Sequence, residues 1–252
     1  VCLLAAALAM SGCSTVKGWF STGSKDDKAA SAPTELNEFV PSATVARLWS
    51  ANAGDGDPNL GVAQAPAIAD GRVYAAAGEG GVRAFDLQTG AVAWQYKSDA
   101  TLTGGPGAGD GLVVVGGLEG EVVALDAASG AQKWTAKVTG EVIAAPAIGQ
   151  GMVLVRSNDG RITALDIADG QRRWFWNHEL PALTLRGNDA PILGPGFVFV
   201  GNDDGSVVAL SLTDGRPLWE QAVGQPDGRT EIDRIADVDG TPALDGAILF
   251  AT

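Results

Sequence analysis

A pattern of the form Ala-x-Asp-x-x-x-Gly-x-x-x-Trp returns along this chain and limits what it can fold into. It reads AFDLQTGAVAW at 84–94, ALDAASGAQKW at 124–134, ALDIADGQRRW at 164–174 and ALSLTDGRPLW at 209–219. The last copy carries Ser211 where the others carry Asp86, Asp126 and Asp166. The glycines Gly90, Gly130, Gly170 and Gly215 are common to all copies. The tryptophans Trp94, Trp134, Trp174 and Trp219 fall 40, 40 and 45 residues apart, and Trp49 stands 45 before the first, without a glycine turn of its own. Other marks keep the period. Prolines recur at Pro66, Pro106, Pro146, Pro191 and Pro242. Tight-turn pairs recur at Asp70-Gly71, Asp110-Gly111, Gln150-Gly151, Pro195-Gly196 and Asp245-Gly246. A period of this length means repeated supersecondary units, each needing neighbours to bury its faces.

Each repeat divides into short stretches. In the first they are Pro66–Ala69, Arg72–Ala77, Val82–Asp86 and Val92–Tyr96, apolar or β-branched and separated by glycine turns. They predict strands joined by hairpins, and all are too short for an ordinary helix. Four antiparallel strands per 40–45 residues make one blade of a β-propeller, so the expected class is all-β. The 35 Gly and 12 Pro of the chain supply the turns that so many short strands need.

The motif has a mechanical reading. The Asp carboxylate can accept backbone N–H groups in its turn, the Gly supplies a positive φ, and the Trp fills a gap between sheets. The motif Trp, Asp and Gly residues are therefore read as structural and carry no assigned chemistry.

Charge and composition exclude much else. The net charge of −13 repels phosphates, which argues against a nucleic-acid partner. One His and two Cys supply too few ligands for an ordinary zinc site. His178, the lone imidazole, reads as a solvated loop residue rather than a triad base. The sequences Asp55-Gly56-Asp57 and Asn202-Asp203-Asp204-Gly205 lack a full loop of oxygen ligands and read as turns. The expectation is no catalytic residue, no metal and no cofactor.

Residues 1–10, VCLLAAALAM, are apolar and uncharged, too short to span a bilayer and suited to a secretory signal segment whose basic start is missing. Small residues before Cys13 resemble the lipobox of bacterial lipoproteins. That resemblance implies a signal over 1–12, a lipid on Cys13 and, because Ser14 follows, sorting to the outer membrane of a Gram-negative bacterium. Residues 13–44 then read as the lipidated Cys and a flexible tether, with the propeller over 45–252.

The repeat itself is similar to the tryptophan-docking repeat of the PQQ-like (quinoprotein-type) β-propeller family. Joined to the lipobox, it resembles the lipoprotein scaffolds of the outer-membrane β-barrel assembly (BAM) complex. The resemblance covers essentially the whole chain and implies an eight-bladed ring, of which about four full blades and part of a fifth are expected here, an N-terminal fragment. It also implies that a strand near Val45–Trp49 closes the ring, so an open arc with two exposed edges is expected. The function implied is non-catalytic: docking on the periplasmic domains of BamA during insertion of outer-membrane β-barrels. The competing readings are a PQQ-dependent dehydrogenase, which in that family carries a vicinal Cys pair, and a propeller binding another envelope partner, such as unfolded outer-membrane chains. No Cys follows Cys13.

A scaffold shows its function where loops interrupt the repeat. From motif Trp to the next repeat Pro the separation is 12 in two blades, then 17 and 23. The first insertion contains Leu183, Leu185 and Arg186, and the second contains Asp237 and Asp239. Composition leaves two readings open: an interaction surface, or leucines tucked under their own loop beside solvated acids. By resemblance these five positions match those with which the BAM lipoprotein binds BamA.

Overall fold

The computed structural model describes residues 42–56, 64–185, 189–230, 232–233, 235–238 and 240–251. The expected signal segment, Cys13 and most of the tether lie outside the described residues, as do Asp57, Arg186 and Asp239. The strands all lie in the unit Arg47–Thr252.

The first repeat forms β1 (Ala67–Ala69), β2 (Arg72–Ala77), β3 (Gly81–Asp86) and β4 (Val92–Tyr96). The second forms β5 (Gly107–Gly109), β6 (Leu112–Gly116), β7 (Glu121–Asp126) and β8 (Gln132–Lys137). The third forms β9 (Ala147–Gly149), β10 (Met152–Ser157), β11 (Arg161–Asp166) and β12 (Arg172–Asn177). The fourth forms β13 (Ile192–Gly194), β14 (Phe197–Gly201), β15 (Ser206–Ser211) and β16 (Pro217–Ala222). A final pair, β17 (Ala243–Asp245) and β18 (Ile248–Phe250), follows. Each of the four is an antiparallel meander in chain order, the blade unit of a propeller. The first strands β1, β5, β9 and β13 lie beside one another in succession. The expected strands of the first repeat agree with β1 to β4 to within one residue. Residues 45–49, read as a ring-closing strand, form no strand here.

Hairpin geometry follows the turn pairs. Asp70 and Gly71 have φ of 49° and 72°, Asp110 and Gly111 47° and 76°, Gln150 and Gly151 53° and 80°. Two successive positive values make the type I′ turn that matches strand twist. At Pro195-Gly196 the ring of proline forbids this, and only Gly196 is positive, at 77°. Gln150 is an unusual residue for such a φ. Its amide is held by the next blade, donating from Nε2 to Gly194 O at 2.8 Å and accepting from Gly196 N at 3.1 Å.

Alternation along each strand sends side chains to two different neighbours. Val113 and Val115 pack with Tyr74, Ala84 and Trp94 of the first blade. Leu112 and Val114, which alternate with them along the strand, pack with Trp134, Val153 and Val155 toward the third. Leu154, Ile162 and Ala164 pack likewise with Val198, Val208 and Leu210 of the fourth. Both faces are buried, which is why β6 reads as an unbroken LVVVG.

The motif tryptophans lock these layers. Trp94 Nε1 donates to Ala127 O at 3.0 Å, Trp134 Nε1 to Ile167 O at 2.9 Å and Trp174 Nε1 to Leu212 O at 2.8 Å. Trp49 does the same to Leu87 O at 2.9 Å. Every acceptor sits in the motif turn of the following copy, between its Asp (Ser211 in the fourth) and its Gly. The indole then lies flat on that turn's glycine: a Cβ on Gly130 would stand 2.6 Å from the Trp94 ring. Trp94, Trp134 and Trp174 are 7–8% exposed, whereas Trp219, which meets no such turn among the described residues, is 45% exposed.

The turn beneath each indole is shaped by its first residue. Asp86 Oδ1 accepts from Thr89 N and Thr89 Oγ1, both at 2.8 Å, and from Gln88 N at 3.1 Å. Asp126 does the same with Ser129 and Ala128. The Ser129 hydroxyl, then the Lys133 ammonium, bring the Asp126 carboxyl down to about 2. Asp166 accepts from Ala168 N at 2.8 Å and is clamped by the Arg173 guanidinium. In the fourth copy Ser211 holds Asp214 instead, so the bond runs the other way round the same turn.

Gly130→Ala is expected to lower stability through both its φ of 74° and the displaced Trp94 ring. Gly111→Ala has a similar φ of 76° but open space around it, so it loses only about 1 kcal/mol. Gly130→Ala should lose at least about 2 kcal/mol in urea unfolding. Equal losses at the two sites would show that indole docking contributes nothing.

Candidate functional site

The two interrupting loops come together. The first follows β12, the second follows β16, and hydrogen bonds join them at two points. Leu185 N donates to Asp237 Oδ2 at 2.9 Å. Thr241 Oγ1 donates to Asp189 Oδ1 at 2.9 Å. Of the five residues singled out in these loops, Leu185 and Asp237 are therefore joined, with Leu183 two residues before Leu185 on the same loop, and Arg186 and Asp239 lie outside the described residues. Leu183 and Leu185 are 41% and 48% exposed, so neither is tucked beneath its loop. Asp237 keeps a second oxygen, Oδ1, buried without a hydrogen-bond partner among the described residues.

The second loop is fastened at its base. Val238 is buried, its N–H donates to Asn202 O at 3.1 Å, and its side chain fills the space a Cβ would occupy at Gly201. Below both loops, Arg156 of β10 makes a buried ion pair with Asp203 of the β14–β15 turn, Nη2 to Oδ1 at 3.0 Å. Nη1 of the same guanidinium reaches Asp189 O at 3.5 Å. One guanidinium thus ties the third blade to the fourth and to the first loop.

The sequence reading missed Arg156, although a charge inside the apolar run MVLVRS was a visible signal. Gln150 was another, standing where other hairpins carry Asp or Pro. Nothing local marked Thr241 or Asp189.

His178 requires a correction. It was expected to be solvated, but its side chain is only 17% exposed and Nε2 lies 2.9 Å from Asp204 Oδ2. Its ring stacks on Trp176 with centroids 5.4 Å apart. Burial pushes the Asp204 carboxyl up, but bonds from Ser206 and His178 outweigh it and hold it below the ordinary range. Asp203 and Asp204 do lie in a turn, yet both also bond across to the third blade.

Asp189 titrates in the opposite sense. Burial raises its carboxyl above 3.8, with the Thr241 hydroxyl and the Arg156 charge pulling it back. The unfolded chain titrates at the ordinary value. Folding is thus favoured most below that value and weakens as pH rises through the raised folded one. Asp189→Asn keeps an acceptor for Thr241 and removes the charge. It is expected to raise the urea midpoint at neutral pH and to leave it unchanged in acid below the carboxyl range. A lower midpoint at neutral pH would show that the ionised group stabilises the loops.

The joined loops, with exposed leucines beside a hydrogen-bonded carboxylate, can bind and position a partner surface. A family model described as "Outer membrane protein assembly factor BamB" matches residues 42–102 and 78–252. The protein of that name from Xanthomonas campestris pv. campestris is 56% identical over 97% of this chain and 63% of its own length. The crystal structure of BamB from Moraxella catarrhalis superposes with a TM-score of 0.68 at 31% identity, over 75% of this chain and 57% of that one. Quinohemoprotein alcohol dehydrogenase from Comamonas testosteroni, with a TM-score of 0.53 and 21% identity over 76% of this chain and 39% of its own, shares the fold alone. This chain spans under two thirds of the length of the BamB proteins it matches, and by both sequence and fold it belongs to the BamB family of outer membrane protein assembly factors.

Proposed function

We propose that this protein is a non-catalytic scaffold for assembly of outer-membrane β-barrels, anchored at the periplasmic face of the outer membrane through a lipid on Cys13 and docking on the periplasmic domains of BamA within the BAM complex. The observation that carries this reading is the joined pair of loops. Leu185 N is bonded to Asp237, and Leu183 and Leu185 remain exposed beside that bond. Exposed apolar side chains beside a hydrogen-bonded carboxylate are the makings of a binding hot spot. Arg186 and Asp239 complete the proposed face by their places in sequence, one residue after Leu185 and two after Asp237.

Family membership supports an assembly role over an oxidoreductase. The likeness to quinohemoprotein dehydrogenases extends to blade architecture, which is a scaffold many chemistries share. A dehydrogenase would reduce dye after reconstitution of the full-length protein with PQQ and Ca²⁺; inert protein is the expected result.

Replacing Leu183 and Leu185 together by Ala, or Arg186 by Ala, is expected to weaken binding to purified BamA periplasmic domains about tenfold or more. The circular dichroism and urea midpoint of these variants should stay close to those of the parent. Undiminished capture of BamA by folded variants would move the docking face elsewhere.

A further inference from the structure

The junction between the third and fourth blades holds a group of side chains with no role in the reading above. His178 follows β12, Asp204 sits in the β14–β15 turn and Glu220 lies on β16. One ligand-capable atom from each falls within 4.8 Å of the others. We propose that His178, Asp204 and Glu220 bind a divalent transition-metal ion, Zn²⁺ foremost, which straps the third blade to the fourth. The proposal is independent of what the neighbouring loops bind.

The surroundings are those of a supported site rather than of loose surface acids. Ser206 orients both carboxylates: its N–H donates to Asp204 Oδ1 at 3.0 Å and its Oγ to Glu220 Oε1 at 2.9 Å. Ser206 Oγ is itself held by Asn202 Nδ2 at 3.0 Å, and Asn202 is buried. Each carboxylate so has one oxygen fixed by Ser206, while Asp204 Oδ2 faces His178 Nε2, the pair a bound ion would come between. On the opposite side Trp176 sets the plane of the imidazole, and His178 N donates to Gly160 O at 3.0 Å. Outer contacts that hold ligands in place are a regular part of metal sites.

The donor set selects the ion. One imidazole and two carboxylates offer one nitrogen and two carboxylate oxygens, with charge to balance a dication. Ca²⁺ and Mg²⁺ favour all-oxygen shells, while imidazole favours Zn²⁺ and its first-row neighbours. Tetrahedral zinc with bonds of about 2.1 Å keeps its ligand atoms about 3.4 Å apart. The His178 Nε2 to Asp204 Oδ2 separation of 2.9 Å therefore needs to open by only a few tenths of an ångström, and Glu220 needs to close in. Three protein ligands leave a fourth position for water. No local pattern marks this set, because its members come from three segments and only one is a ligand type scarce enough to notice.

The test is titration of the chelator-treated full chain with zinc chloride by calorimetry, alongside His178→Ala and Glu220→Gln. Cys2 and Cys13 are present in all three proteins, so the difference between them isolates the cluster. The parent is expected to bind one more equivalent of zinc than either variant and to gain a zinc-dependent rise in Tm that both variants lose. Magnesium chloride should produce neither effect. Glu220 is exposed, so Glu220→Gln reports even if His178→Ala perturbs folding. Equal zinc stoichiometry and equal Tm shifts in parent and Glu220→Gln, or no binding by the parent, would leave only a His–Asp hydrogen bond and overturn the proposal.

Discussion

The docking of an indole from one blade onto the glycine turn of the next is the interaction on which the rest of this structure depends. A propeller blade has two apolar faces and cannot bury either alone. Here the coupling is written into the repeat twice over. The Trp that closes one copy of the motif donates to a carbonyl in the following copy, and the Gly of that following copy clears the space for its ring. Loss of such a ring from a packed core costs about 3–5 kcal/mol. Because donor and acceptor belong to successive copies, each docking fixes the angle between two blades, and repetition of one local motif propagates a single geometry along the chain. The half-exposed ring of Trp219 is what this side chain looks like without its receiving turn among the described residues.

The junction between the third and fourth blades is built differently from the earlier ones. Between the first and second blades, Arg72 caps the carbonyls of Ala127 and Ala128, Tyr74 reaches Ala127, and the Tyr96 hydroxyl donates to Gln132 Oε1. Between the third and fourth, ionisable side chains meet each other: Arg156 with Asp203 and His178 with Asp204. A buried ion pair adds little net stability, since desolvation offsets attraction, but breaking it is severe. Its consequence is positional. The turn that carries Asp203 and Asp204 cannot move relative to β10 and β12 without stranding a charge. That turn also supplies Asn202 O to Val238, so the second loop inherits its position from the same contacts.

How much of this was legible follows from the range of each interaction. Strand positions, hairpin types and the motif turn were readable because period, Gly and Asp act within a few residues of themselves. The destination of each indole was not, since its acceptor lies 33 to 38 residues on. The same holds more strongly at the candidate site. His178 and Asp204 are 26 apart, Arg156 and Asp203 47, Leu185 and Asp237 52. Such pairs are decided by which blades stack, not by local pattern. The insertions could be located by counting from Trp to Pro, but whether their leucines face inward or outward depends on what the loop packs against. His178 was misjudged for the same reason: sequence showed a lone imidazole after a strand, whereas its partners arrive from the next blade.

The exposure of Leu183 and Leu185 gains meaning from how their loop is held. An apolar side chain on an unrestrained loop reaches a partner only by ordering backbone and side chain together, at about 1–2 kcal/mol for each backbone residue fixed. Here part of that ordering is already in place. The first loop is bonded to the second at Leu185 and Asp189, and the second is anchored by buried Val238 and by the turn beneath it. Preorganisation raises affinity by removing an entropic penalty rather than by adding contacts. It also links the two halves of the molecule's logic. The indole ladder fixes blade to blade, the polar pairs fix the fourth blade's turn to the third, and the loops take their shape from that turn. Leucines exposed on loops whose positions are set by the core can meet a partner in one arrangement.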